Sequence, residues 1–78
     1  MNQLKYVMII EPTEDEEGPY YCAYFPDLPG CTTMGNTLNE LSENAHEAVS
    51  LYVQALRDTG QAVPEPAVLV DEVSIKAS

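Results

Sequence analysis

The chain has 78 residues, 45% of them apolar and spread along its length, which supports one small hydrophobic core and excludes both a disordered chain and a second core. Thirteen acidic side chains against three basic ones (Lys5, Arg57 and Lys76) give a formal charge of -10, which repels phosphate backbones and disfavours direct nucleic-acid binding. The same field either attracts a basic partner and speeds its encounter or simply keeps a small protein soluble.

The start, Met1-Asn2-Gln3-Leu4-Lys5, lacks a basic region followed by a long apolar core, and the longest apolar run, Tyr6 to Ile10, is too short to span a bilayer. A cytoplasmic protein of one domain, residues 1–78, is expected. Cys22 and Cys31 fit no CxxC motif and read as free thiols in a reducing compartment.

Leu4 to Glu11 is rich in β-branched and aromatic residues and reads as a first strand, with Leu4, Tyr6, Met8 and Ile10 on one face and Lys5, Val7, Ile9 and Glu11 on the other. Both faces are mostly apolar at the centre, so the strand is expected inside the sheet, or at least covered where Val7 and Ile9 point, and ended by Pro12. Thr13 to Pro19 holds four consecutive acids, Glu14 to Glu17, whose mutual repulsion favours a solvated loop. Tyr20 to Phe25 and Cys31 to Met34 read as a hairpin, joined by a connection that Pro26, Pro29 and Gly30 make rigid. A hairpin centred near Leu28 sets Cys22 opposite Met34 and Cys31 opposite Phe25, a geometry that does not favour a disulfide.

Thr37 with Glu40 three residues on forms a capping box, and the spacing predicts a helix running to Gly60. Leu38, Leu41, Ala45, Ala48, Val49, Tyr52, Val53 and Leu56 fall in one stripe, while Glu40, Glu43, Glu47, Gln54 and Asp58 fall on the opposite face. Glu40 with Glu43, and Glu43 with Glu47, are like-charge neighbours costing roughly 0.2 to 0.5 kcal/mol each in an isolated helix. After a proline-punctuated link, Ala67 to Ile75 reads as a last strand. The expected fold is therefore α+β, in the order β-β-β-α-β: an antiparallel three-stranded meander, a helix packed on one face and a final edge strand.

No constellation carries catalysis, and no cofactor or metal site is expected. His46, the only histidine, has acidic helical neighbours but no nucleophile beside it, so it reads as a surface residue. One histidine and two cysteines do not make a zinc site. A two-magnesium nuclease centre needs acids converging from separate elements, whereas the middle of the first strand has no carboxylate and the helical acids point away from the core. The five tyrosines pack a sheet and its core, but one helix cannot cover both sheet faces, so some aromatic surface is expected to stay open.

The run Tyr21-Cys22-Ala23-Tyr24-Phe25-Pro26-Asp27-Leu28-Pro29-Gly30-Cys31, then Gly35-Asn36-Thr37-Leu38, Glu43-Asn44-Ala45-His46-Glu47-Ala48, Gly60 and Val63-Pro64-Glu65-Pro66 resembles the HicB antitoxin family. The resemblance covers roughly Leu4 to Val73. It implies a partial ribonuclease-H-like fold without working nuclease chemistry, and a HicA-type partner: a small basic toxin that cleaves messenger RNA and whose RNA-binding surface the antitoxin covers. The family's frequent C-terminal DNA-binding domain is not seen before Ser78, so DNA autoregulation by this chain is not expected, and a homodimer or higher homo-oligomer is.

The expected function is thus an antitoxin that blocks a HicA-type toxin by steric and electrostatic masking. The residues assigned to the partner are Asp27 and Leu28 in the proline-bracketed turn and Glu40, Glu43, Glu47 and Asp58 on the helix. Two other readings are an orphan HicB-like oligomeric adaptor without a toxin and a residual metal-dependent nuclease.

Overall fold

The computed structural model describes residues 3–77, so Met1, Asn2 and Ser78, at the ends of the expected domain, lie outside the described residues. Three strands, β1 (Ile9–Asp15), β2 (Gly18–Tyr24) and β3 (Thr32–Gly35), form an antiparallel meander in the order β1-β2-β3, followed by one helix, α1 (Leu38–Asp58). The α+β class and the meander-then-helix order agree with the sequence.

The first strand is displaced from its expected position. β1 begins at Ile9 and runs through Pro12, which sits opposite Tyr21, and it is an edge strand rather than an interior one. An edge accepts proline because one side of the strand has no neighbour asking for its missing N–H. The seven-residue acidic loop contracts as well: Asp15 pairs with Gly18, leaving only Glu16 and Glu17 at the turn. There the Glu17 N–H donates to the Asp15 carboxylate at 2.8 Å, and Gly18 takes φ 120, a region other residues rarely enter.

The second hairpin follows its expected register, with Cys22 opposite Met34 and the ladder stopping at Tyr24 opposite Thr32. Phe25 to Cys31 then folds around Leu28, whose N–H donates to the Phe25 carbonyl at 2.9 Å and whose carbonyl accepts from Cys31 at 3.0 Å. Leu28 is fully buried, with Phe25, Cys31 and Ala45 around it and Tyr6, Met8, Val49 and Tyr52 packed outside them. Both cysteines are free; Cys31 is buried and Cys22 half-buried.

Helix α1 starts as the capping box requires. The Glu40 N–H donates to Thr37 Oγ1 at 3.0 Å, and the Glu40 carboxylate accepts from Asn36 N–H at 3.3 Å, one residue before the cap. At the other end Gly60 N–H bonds the Arg57 carbonyl and Gln61 N–H the Leu56 carbonyl, the paired bonds of a Schellman stop. Leu41 and Ala45 are buried and Ala48, Val49, Tyr52, Val53 and Leu56 half-buried, as the stripe predicts, whereas Leu38 is 55% exposed. The helix comes closest to the sheet at Gly35: a Cβ there would lie 2.6 Å from the Leu41 backbone nitrogen. A glycine is what permits that approach.

The expected last strand does not form a ladder. Residues 61–77 carry no regular secondary structure, and Leu69, Val70, Val73 and Ile75 are exposed. Strand composition makes a segment ready to pair; it does not say which edge receives it.

Candidate partner-binding surface

Three surfaces remain open on this frame. On the helix, Glu40, Glu43, Glu47 and Asp58 are all exposed, as the sequence requires of the face opposite the apolar stripe. Gln54 donates to the Asp58 carboxylate at 2.8 Å, which holds that acid against the last turn, where the helix dipole does not favour it. Leu51 lies among these acids on the helical projection and is 63% exposed. It was legible as the one large apolar residue outside the stripe, and an apolar contact ringed by charge is the usual anatomy of a protein interface.

The proline-bracketed turn is placed differently from the sequence assignment. Leu28 is 0% exposed, so its side chain is a core anchor and offers nothing to a partner. Asp27 is half-buried, and its carboxylate is engaged within the chain, accepting from the backbone N–H groups of Ala67 at 3.0 Å and Val68 at 3.3 Å. The Tyr52 hydroxyl donates to the Pro29 carbonyl at 2.8 Å and fixes the turn to the helix. The structure therefore separates the six assigned residues: four acids share an exposed helix face, while Asp27 and Leu28 serve the fold.

The sheet face away from the helix is the second open surface. Tyr24 lies between Ile9 and Thr32, and Cys22 lies between Glu11 and Met34, with Tyr24 39% and Met34 60% exposed. This is the open aromatic surface expected from covering a sheet with one helix. At the hairpin tip it joins a hollow of about 580 Å³ lined by Asp15, Glu17, Tyr20, Met34 and Asn36. Two carboxylates beside an aromatic and a thioether suit a cationic side chain. The sequence hid this hollow because Asp15 and Met34 are brought together only by strand pairing.

The third surface is a groove of about 340 Å³ between the segment preceding β1 and the helix, lined by Leu4, Tyr6, Met8, Phe25, Ala45 and Val49. His46 lies on its rim, exposed. The Tyr6 hydroxyl donates to the Pro64 carbonyl at 2.6 Å; burial first, then the charges of Glu65 and Asp27, raise its pKa against a smaller opposing effect of Arg57. Burial likewise raises the Cys31 thiol. Among the described residues no group of three or more His, Cys, Asp or Glu side chains is placed to hold a metal ion, and no helix is long and apolar enough to cross a membrane.

Comparison with known proteins decides the family. The model of the HicB-like antitoxin of bacterial toxin–antitoxin systems matches residues 6–77. The chain belongs to the HicB-like antitoxin family. Among its relatives, a UPF0150 protein of Thermoplasma acidophilum is 41% identical over 61 residues, covering 78% of this chain and 84% of that protein. A UPF0150 protein of Synechocystis is 34% identical over 70 residues, covering 90% and 85%. A solved HicA3 and HicB3 toxin-antitoxin complex contains a chain that superposes with a TM-score of 0.59 at 36% identity, over 77% of this chain and 69% of that one. The HicB-like assignment made from the proline-glycine turn and the helix cap is thereby upheld.

Proposed function

We propose that this HicB-like protein is an antitoxin that works by binding: it seats a small basic HicA-type toxin and masks the surface with which the toxin would hold RNA. The observation that carries this reading is the exposed acidic helix face, Glu40, Glu43, Glu47 and Asp58 around Leu51, in a chain whose charge is -10. A toxin that binds RNA presents cations spaced for a polyanion, and a rigid row of carboxylates competes for the same cations. The likeness to a chain from a HicA3 and HicB3 complex supports the class of partner. The acidic hollow at the hairpin tip supplies a second place for a basic side chain. Asp27 belongs to this interface only through the geometry of the turn it tethers.

The test is co-expression with the small basic protein encoded beside the gene. A complex that co-purifies and relief of that neighbour's growth inhibition are expected. No complex and unchanged inhibition would refute the proposal.

A further inference from the structure

The C-terminal segment is a strand without a sheet. Leu69, Val70, Val73 and Ile75 are 94%, 70%, 89% and 86% exposed, and beyond Val68, among the described residues, the hydrogen bond seen is that from Glu72 N–H to the neighbouring Asp71 carboxylate. An isolated protein rarely presents so many large apolar side chains on one projecting stretch. The segment also stretches the molecule: the radius of gyration is 15.1 Å, against about 11.5 Å for a compact chain of this length. Its root is firmly held, by Tyr6 on the Pro64 carbonyl and by Asp27 on the N–H groups of Ala67 and Val68. Past that root the chain leaves its own sheet as an arm.

The complement of the arm is present on the same molecule. β1 is an edge strand, and the residues just before it, 4–8, continue without a ladder while Tyr6 and Met8 turn toward the core beside the 340 Å³ groove. The other edge is a poorer acceptor: β3 has four residues, and the Met34 carbonyl already accepts from the Asn44 side chain at 2.8 Å. Side chains alternate along a strand, so an arm that turns Leu69 and Val73 to the groove carries Glu72 on its other face, the face Lys5 takes where Tyr6 and Met8 turn inward, and the pairing joins opposite charges there.

We propose that two copies of this chain exchange arms, residues 68–75 of each protomer pairing as a fourth strand along residues 4–10 of the other and filling the groove beside its helix. One chain supplies both strand and edge, so two identical exchanges close a twofold dimer and leave no arm free to propagate. The proposal does not depend on toxin binding and is tested on the purified chain alone.

Sedimentation equilibrium of the full chain should give twice the 8.6 kDa chain mass, with tighter association as salt screens the like charges of the two bodies. The double variant Leu69→Asp, Val73→Asp should weaken dimerisation by at least about a hundredfold, because the two apolar contacts that flank Asp71 on the groove-facing side would become carboxylates beside it. Its far-ultraviolet circular dichroism should match that of the parent chain diluted below its dimerisation range, since both side chains are exposed on a single protomer. Carbodiimide coupling of Lys5 to Glu72, in a mixture of ¹⁵N-labelled and unlabelled chains, should yield mixed-isotope crosslinked peptides. A monomer at every concentration, a dimer indifferent to the double variant, or crosslinks confined to a single isotope would each overturn arm exchange.

Discussion

Asp27 and Leu28 stand side by side in the chain and do opposite things. Leu28 ties two consecutive turns with its backbone and fills the core with its side chain, whereas Asp27 reaches 40 residues along the chain to hold the base of the arm. Leu28→Ala should therefore cost about 3 kcal/mol, the usual range for emptying a buried leucine site, read as a lowered urea midpoint with an unchanged m-value. Tyr6 and Cys31 make a second prediction. Both are acids whose neutral form is favoured by the fold, so the folded state binds more protons than the unfolded one between the two sets of pKa values. Their contribution is fully present below the ordinary thiol value of 9.0 and the ordinary phenol value of 10.0, and is lost as pH rises through the raised folded values. Stability measured by urea titration should fall from about pH 9 upward, and Tyr6→Phe should flatten the upper part of that decline.

At the scale of elements, the contact between helix and sheet turns on Gly35. A methyl group there would meet the Leu41 backbone at 2.6 and 2.8 Å, and a helix backbone cannot move aside as a flexible side chain would. Gly35→Ala should destabilise the protein by about 1 to 3 kcal/mol, visible as a thermal midpoint lowered by several degrees. The helix itself was readable in the chain because its start, its stripe and its stop are local: Thr37 with Glu40, apolar residues at helical spacing, and Gly60. The strands were less so. β1 lies some five residues later than its composition indicated, because the two-residue turn at Glu16 and Glu17, not the most apolar stretch, sets the register.

For the whole molecule, the proposed antitoxin role predicts a dependence on charge. Toxin affinity should fall as salt rises, and the triple variant Glu40→Gln, Glu43→Gln, Glu47→Gln should slow association about tenfold or more at low salt, checked by stopped-flow or surface-binding kinetics. Glutamine at position 40 still closes the capping box, so the variant should keep its helix. Equal association rates for the variant and the parent chain would move the interface off this face.

The residues alone were enough for the class of fold, the second hairpin with its register, the span of the helix and the acidic face, since each rests on periodicity, capping or turn chemistry within a few neighbours; the family was legible through the resemblance of its motifs. Long-range pairing decided what those rules do not reach. It placed β1 at an edge, buried Leu28, turned Asp27 inward, gathered Asp15 and Met34 around one hollow, and left residues 69–75 without a partner. A side chain's neighbours along the chain set its backbone preference; its exposure is set by which distant segment arrives to cover it.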